Sequence, residues 1–435
     1  MDSATIITII AVTGGLCSIA ALMLYLFDRA KQNEQKRKID ELTTQFALYK
    51  DGLMEAPRKV RDPYAEGLRA MSEFRFKDAK THFEDALTKT KDHSQLSAIH
   101  QALGSVLDDL GEFAASKEQY EKALKLAEYA GDEEARAWAL NGLGLAENNL
   151  GNYGAAKAYH EGGAALADEK GCDKALAANK GNLGLVLMNE GDLVGALTCH
   201  RKAIELHRGF GDYRGEAAEL GNIGAVLIRT GDMDGALNNI EGALKIHRRL
   251  GNPLGEANQL SNLGIVLRRK GDLDGALKTH REAIIIHRRF DDSLGEAQDL
   301  GNIGLVLQYK SDLKGALKFQ REALEIFRRL NNAQGEAQAL GNIGNVLFLK
   351  GDVDGALKTL REALAHNRQL GDTYGEAANL TNIGNAYLKM REPATAIKHY
   401  ENALSIFERI GATGETEGIK INIEMAKAML EEKGG

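Results

Sequence analysis

The sequence predicts an all-α protein: a right-handed superhelical solenoid of about nine helix pairs, a C-terminal capping helix and an N-terminal transmembrane helix. Similar blocks recur every 40 residues over most of the chain, and a fixed period of this length is typical of repeat architectures. Each block contains two stretches whose apolar residues recur at steps of three and four, the pattern of an amphipathic helix. The third observation is an uncharged apolar segment over residues 6–27.

That N-terminal segment follows a short tail, residues 1–5, and is predicted to be a membrane anchor. As a helix it is about 33 Å long, close to the ~30 Å hydrocarbon core of a membrane. Few charges precede it, which argues against a cleaved signal peptide. Basic residues follow it directly, at Arg29, Lys31, Lys36, Arg37 and Lys38. Because positive charge stays on the cytoplasmic side, we expect a single-pass membrane protein with its N-terminus outside and its repeats in the cytoplasm.

Residues 28–62 are predicted to form a basic juxtamembrane helix and a linker. Apolar residues alternate steps of three and four there, at Ile39, Leu42, Phe46, Tyr49 and Leu53. Such a seam over two heptads is compatible with a short dimerising coiled coil. It is equally compatible with a stalk that packs on the first repeat or on the membrane surface. The sequence leaves both alternatives open.

A glycine occupies one position in the first helix of every block. These structural repeat positions are Gly67, Gly104, Gly144, Gly184, Gly224, Gly264, Gly304, Gly344 and Gly384. Glycine inside a helix costs about 1 kcal/mol relative to alanine, so its recurrence indicates close approach of the paired helices. Alanines such as Ala276 and Ala283 are expected to face it from the second helix.

This pattern resembles the tetratricopeptide repeat. The family places a small residue in the first helix and alanines twelve and nineteen positions later, and Gly264, Ala276 and Ala283 match that spacing. The 40-residue period is longer than the usual 34 residues and is similar to kinesin light chain and to the Leu-Gly-Asn-repeat polarity adaptors. The resemblance implies about nine repeats over residues 63–413, closed by a capping helix and tail over residues 414–435. It also implies a protein that binds other proteins.

Composition and motifs exclude several other classes of function. The net charge of −7 argues against a nucleic-acid platform, which needs a basic face. The chain lacks the common nucleotide-loop, nucleophile and zinc motifs, so we expect no enzyme and no cofactor. His200 and His207 repeat in other blocks, but they are about 10.5 Å apart along one helix. That separation is too large for one metal ion, and no metal site is expected.

An asparagine precedes the repeat glycine by two residues in six blocks, at Asn182, Asn222, Asn262, Asn302, Asn342 and Asn382. An amide needs several hydrogen-bond partners when it is buried. In the 40-residue families that this chain resembles, asparagine at this position faces the concave groove and bonds the backbone of an extended peptide. The resemblance therefore implies a peptide groove here. The alternative is a hydrogen bond between neighbouring first helices, and the two interpretations are compatible.

Residues four and five positions after the glycine vary between blocks, as a specificity surface requires. The resemblance places them near the same groove, with these side chains at the varied positions: Arg229, Arg268, Arg269, Gln308, Tyr309, Phe348 and Lys389. A basic centre beside aromatic and aliphatic side chains favours a partner segment with acidic and bulky apolar residues. The alternative is that these positions are solvated helix ends.

Arginines recur near the ends of the second helices, at Arg208, Arg248, Arg288, Arg328 and Arg368. Ion pairs between repeats are one interpretation; a second docking face or self-association is the other. The sequence as a whole predicts a membrane-anchored scaffold or adaptor that is not an enzyme and that holds an extended segment of a partner protein. The alternative function is a self-assembling structural component that forms a membrane-associated lattice or filament.

Overall fold

The computed structural model describes residues 56–73, 75–410 and 412–434. These residues form 19 α-helices and no β-strand. In chain order the helices are α1 (Arg58–Ser72), α2 (Phe76–Leu87), α3 (His93–Asp109), α4 (Phe113–Ala130), α5 (Glu133–Asn149), α6 (Tyr153–Lys170), α7 (Asp173–Glu190), α8 (Leu193–Gly209), α9 (Tyr213–Thr230), α10 (Met233–Leu250), α11 (Pro253–Arg269), α12 (Leu273–Arg289), α13 (Ser293–Tyr309), α14 (Leu313–Arg329), α15 (Ala333–Lys350), α16 (Val353–Leu370), α17 (Thr373–Lys389), α18 (Pro393–Arg409) and α19 (Thr413–Gly434).

The helices belong to two compact units, one ending at Gly255 and the other beginning at Glu256. Within each unit, a helix packs mainly on the helix before it and the helix after it. In the first unit, Phe83 and Ile99 are fully buried; in the second, Leu360 and Tyr400 are fully buried. Each unit is therefore a stack of helix hairpins. The buried apolar residues of the second unit form one connected cluster, whereas those of the first unit form several.

Short turns join the helices of the stack, and the same residue types recur in them from repeat to repeat. An aspartate begins each second helix from α8 to α16 and accepts a hydrogen bond from the backbone N–H three residues later, as Asp192 and Asp272 do at 2.9 Å. Most helices end at a glycine in the left-handed conformation, such as Gly271 with φ of 88°. Aspartate caps and left-handed glycines satisfy backbone groups that a helix end otherwise leaves unpaired.

The glycine of each first helix is covered by the side chain sixteen positions later, on the second helix. A Cβ atom at Gly344 would lie 2.6 Å from Cγ of Leu360, and one at Gly384 would lie 2.6 Å from Cε1 of Tyr400. The side chains that cover the nine glycines are Phe83, Tyr120, His160, His200, Ile240, His280, Gln320, Leu360 and Tyr400. The expected close approach is therefore present, but these residues, rather than the alanines, occupy the space above the glycine.

The prediction of a transmembrane helix needs correction. Among the described residues, no helix has both the length and the apolar character that a membrane span requires. This finding contradicts the predicted fold with a transmembrane helix and the predicted single-pass topology. Residues 6–27, and the apolar seam from Ile39 to Leu53, lie outside the described residues.

Candidate functional site

The first helices of three consecutive repeats, α5, α7 and α9, enclose a cleft of about 660 Å³ in the first unit. The ends of α8 and α10 complete its walls. The side chains that define it are Trp138, Asn141, Leu145, Lys174, Ala178, Asn182, His207, Phe210, Asp212, Tyr213, Arg214, Ala218, Glu219 and Leu250. Ligand sites in proteins commonly have volumes of about 300–1,000 Å³, so the cleft is large enough for several residues of a peptide.

The cleft is open because the position that carries a large side chain in one repeat carries a small one in the next two repeats. Trp138, Ala178 and Ala218 occupy the same position in three consecutive first helices. Two of the three side chains are single methyl groups, so space remains beside the indole ring. Phe210, Tyr213 and Leu250 supply further apolar surface. The cleft therefore has the apolar lining that ligand sites typically have.

Two kinds of polar group interrupt that lining. The Nδ2 of Asn182 donates a hydrogen bond to Oδ1 of Asn141 at 2.9 Å, which joins the first helices of neighbouring repeats. The indole Nε1–H of Trp138 is buried and has no hydrogen-bond acceptor among the described residues. A buried donor without an acceptor costs about 1–3 kcal/mol. This N–H is therefore a donor that folding leaves unsatisfied at the cleft.

The charges at the cleft are arranged so that its acidic groups already have partners. Oε2 of Glu219 lies 2.6 Å from Nδ1 of His200, and Oδ2 of Asp212 lies 2.9 Å from Nδ1 of His207. Burial raises the pKa of Asp212, but the close contact with His207 and a hydrogen bond from the Gly215 backbone N–H outweigh it, and the pKa lies below its ordinary value. Lys174 and Arg214 add positive charge to the same walls. The walls of the cleft therefore carry charges of both signs, because a histidine neighbour does not by itself remove the charge of a carboxylate.

The six asparagines that precede the repeat glycines differ in their hydrogen bonds. Asn182 uses its amide for the contact with Asn141, which is the bond between first helices that the sequence left open as an alternative. The other five amides are partly exposed and make no side-chain hydrogen bond within the described part of the chain: Asn222, Asn262, Asn302, Asn342 and Asn382. Their amide groups therefore have hydrogen-bonding capacity that the described residues do not use.

Two of the predicted specificity residues hold repeats together. Nη1 of Arg229 donates to the carbonyl oxygen of Met188 at 2.5 Å, and Nζ of Lys389 donates to that of Phe348 at 3.1 Å. Each cation therefore reaches the last turn of the preceding first helix, where a positive charge stabilises the helix dipole. This role was not anticipated from the sequence.

The other varied positions form a mixed surface in the second unit. The guanidinium of Arg268 lies 5.4 Å from the ring centre of Tyr309, whose side chain is 65% exposed. Arg269 is exposed, whereas Gln308 and Phe348 are partly buried. Oε1 of Gln308 has no hydrogen-bond donor among the described residues.

The arginines at the ends of the second helices form ion pairs within the chain. Arg208, Arg288 and Arg368 each contact a glutamate eight residues later at 2.7 Å, in the first turn of the next helix. Arg328 pairs with Glu336 at 2.6 Å and with Glu362 at 2.9 Å. Exposed pairs contribute at most about 1 kcal/mol each. Because these contacts are internal, they give the lattice or filament hypothesis no support.

Buried histidines form a network that the sequence did not reveal. Nδ1 of His280 lies 2.7 Å from Oδ1 of the fully buried Asp299, and Nε2 of His287 lies 3.4 Å from its Oδ2. Ser261 donates to the same carboxylate at 2.8 Å. His287 also contacts Asp292 at 2.8 Å. The two histidines and the serine thereby join three consecutive helices of the second unit.

One cluster in the described residues brings three potential metal ligands together. Atoms of Glu336, Glu362 and His366 lie within 4.8 Å of one another. Arg328 already forms ion pairs with both carboxylates. The cluster is therefore explained by ion pairing.

Sequence models described as tetratricopeptide repeat match residues 97–129, 255–329 and 335–409. Among curated proteins, none matches the chain by sequence. The apo quorum sensor NprR from B. thuringiensis superposes with a TM-score of 0.58 at 15% identity, over 80% of this chain and 98% of that one.

A Rap protein complexed with competence and sporulation factor has a TM-score of 0.54 at 13% identity, over 86% of this chain and 99% of that one. The STAND protein PH0952 from Pyrococcus horikoshii, which has a tetratricopeptide repeat sensor, gives 0.52 at 12% identity, covering 86% and 67%. Identities this low establish the fold alone. The matched models confirm the resemblance read from the 40-residue blocks: residues 97–129, 255–329 and 335–409 are tetratricopeptide repeats.

Proposed function

We propose that this protein is a scaffold that binds an extended segment of a partner protein along the first helices of its repeats, without catalysing a reaction. The observation that carries the proposal is the cleft of about 660 Å³ between α5, α7 and α9. It combines an open apolar lining with the positive charges of Lys174 and Arg214. Protein ligands supply both apolar side chains and carboxylates, so a peptide matches the two features together.

Affinity would come partly from the backbone of the bound segment. Neighbouring helices pack about 10 Å apart, and an extended chain rises about 3.3 Å per residue. In the second unit, the amides of Asn262, Asn302 and Asn342, which lack side-chain partners, would therefore meet the backbone of a segment bound there at about every third residue. Each net hydrogen bond contributes about 0.5–1.5 kcal/mol.

Specificity would come from charge and from apolar volume. Lys174 and Arg214 would offer positive charge to a carboxylate of the bound segment. Phe210 provides apolar surface beside them. The preferred segment is therefore one in which an acidic residue lies near a bulky apolar residue. The structure of a Rap protein with competence and sporulation factor gives an example of ligand binding on this fold, and supports the proposal at that general level.

Selection from a random peptide library tests the proposal. Peptides of about 12 residues, which extend over about 40 Å, would be displayed on phage and selected on the full chain. We expect enriched sequences that combine acidic and bulky apolar residues. Lys174→Glu should weaken their binding at least tenfold, about 1.4 kcal/mol, when it is measured by isothermal titration calorimetry.

The matched control is Lys245→Glu, which makes the same charge reversal at an exposed position of the second helix α10. It should leave the peptide affinity unchanged. A library without enrichment, or equal losses from both reversals, would show that the cleft is not the binding site. Replacing Asn262, Asn302 and Asn342 together with alanine measures how much hydrogen bonds to the peptide backbone contribute to affinity. Lost thermal stability with unchanged peptide affinity would assign these amides to packing between repeats.

A further inference from the structure

The last helix of the chain, α19, has an apolar face that nothing in the described residues covers. Its inner face packs on α18 through Ile419, Ile423 and Ala426, which are buried. On the outer side, Ile421 is 55% exposed and Met425 is 57% exposed. Terminal helices of repeat arrays usually present a polar outer face, which keeps the array soluble. An apolar outer face on a capping helix therefore indicates a partner.

The charges beside this face have a regular order. With 3.6 residues per turn, Ile421, Met425 and Ala428 lie on one side of α19. Exposed Glu417 lies on the same side one turn earlier, and a row of four charged residues flanks the stripe along one edge, at Lys420, Glu424, Lys427 and Glu431. Within the chain, Lys427 approaches Glu424 at 3.7 Å and Lys420 approaches Glu408 at 3.6 Å. Both pairs are exposed and loose, so they are readily exchanged for others.

This order of charges is self-complementary when a second copy of α19 lies antiparallel to the first. In an antiparallel pair related by a two-fold axis between positions 425 and 426, position 424 faces 427 and position 420 faces 431. Glu424 then meets Lys427 of the second copy, and Lys420 meets Glu431 of the second copy. Met425 lies near the axis and packs against its own counterpart. A two-fold interface must be self-complementary in this way.

We propose that α19 is a dimerisation helix, which docks antiparallel on α19 of a second copy of this chain. The exposed apolar stripe supplies the buried surface, and the alternating charges determine the direction and register. One helix pair gives an interface at the small end of those seen between proteins. The dimer should therefore be weak and dependent on concentration. The proposal does not depend on peptide binding, since the cleft lies in the other unit.

Sedimentation equilibrium of the full chain tests this assembly. The wild-type chain should show a reversible equilibrium between monomer and dimer. Met425→Asp should raise the dimer dissociation constant at least tenfold, because it places two carboxylates beside the two-fold axis. The control is Ile285→Asp on α12, where the side chain is 67% exposed; this variant should dimerise like the wild type. A wild-type chain that stays monomeric, or equal effects from both variants, would overturn the proposal.

Reversing single charges distinguishes this register from any other self-association. Glu424→Lys places like charges opposite each other in a homodimer, and so does Lys427→Glu. Each variant alone should dimerise at least tenfold more weakly than the wild type. A mixture of the two should form a heterodimer, since lysines then face glutamates.

Circular dichroism of each variant checks that α19 and the repeats remain helical. If Met425→Asp loses helix, the charge reversals still decide the question, because both positions are exposed. Two variants that each dimerise normally, or a mixture that stays as weak as its components, would exclude the antiparallel register.

Discussion

The contact between a glycine and the side chain sixteen positions later holds the two helices of each repeat together. Glycine at this position was evident in the sequence because it recurs. The covering residue was not, because it differs between repeats and includes phenylalanine, histidine, glutamine and leucine. Because several residue types fill this space, the position shows no sequence pattern. Only the alanines were therefore expected opposite the glycine.

Substituting this glycine should destabilise the protein although the change is small. In Gly344→Ala the new Cβ atom would lie 2.6 Å from Cγ of Leu360, which is fully buried and cannot move aside. Overpacking of this kind costs about 1–3 kcal/mol. Chemical denaturation followed by circular dichroism measures the loss.

The matched control is Gly162→Ala in α6, where a Cβ atom would meet nothing within 4 Å. Alanine is the better helix former by up to about 1 kcal/mol, so this variant should be more stable than the wild type. Losses of equal size at Gly344 and Gly162 would mean that helix packing at the repeat glycine is loose.

The buried network around Asp299 gives one histidine an unusual titration. Burial lowers the pKa of His287, but contacts with Asp292 and Asp299 raise it further, to about 9. The charged imidazolium therefore stabilises the folded state. This stabilisation is complete below about pH 6.5, where a histidine of the unfolded chain titrates, and it is lost as the pH rises through about 9.

The unfolding free energy should accordingly fall between pH 7 and about pH 10. His287→Asn provides the comparison, because Asn367 occupies the same position in a later repeat and is buried there. The variant should show a smaller decline over this range, with other titrating groups cancelling in the difference. Identical pH profiles for the two proteins would contradict a charged His287.

At the scale of single elements, the turns between helices require a left-handed residue, and the chain does not always supply glycine. Glycine has positive φ at eleven turns of the described residues, whereas Asp291, Ser311, Asn331 and Arg391 adopt φ between 53° and 62°. Side chains with a Cβ atom are strained in this conformation. Three of the four turns are consecutive and lie between α12 and α15, so strain is concentrated in the second unit.

Exchanging the residue types at two such turns should move stability in opposite directions. Ser311→Gly should raise the unfolding free energy by roughly 0.5–1 kcal/mol, and Gly271→Ser should lower it by about 1 kcal/mol. Urea denaturation at equilibrium measures both, with the same dependence on denaturant expected for each protein. A Ser311→Gly variant less stable than the wild type would show that the serine makes a compensating contact.

The helices themselves could be predicted from the sequence, but the cleft could not. Apolar residues at steps of three and four are local signals, and Asp and Gly mark the turns between them. The cleft draws Trp138, Lys174 and Arg214 from separate repeats, together with the turn at Phe210. Only packing brings them together. Likewise, Arg229 and Lys389 bond backbone carbonyls, and every helix end has those, so nothing in the sequence marks the acceptor.

At the scale of the whole molecule, contacts are made almost entirely between neighbouring helices. Stability in such an array is approximately a sum of repeat terms and nearest-neighbour terms. Damage to one repeat should therefore stay close to it. The sequence indicated this architecture through its period, whereas the expected membrane topology rested on residues 6–27, which lie outside the described residues.

Hydrogen exchange of the Gly344→Ala variant tests how local the damage is. Protection should fall in α15 and α16 and in the helices beside them, and it should stay at the wild-type level in α3 to α6, because no described contact reaches that far. Mass spectrometry of peptic fragments resolves these regions. A uniform loss along the chain would instead show that the array unfolds as one cooperative block.

Trp138, which lines the cleft, is also the single tryptophan of the chain. Selective excitation of tryptophan therefore gives emission from one indole ring at a known position. Tryptophan emission responds to the polarity around the ring, so displacement of water from the cleft would change its wavelength and intensity. Collisional quenchers would reach the ring less readily once the cleft is occupied. The protein thus carries its own unlabelled fluorophore at the wall of its candidate site.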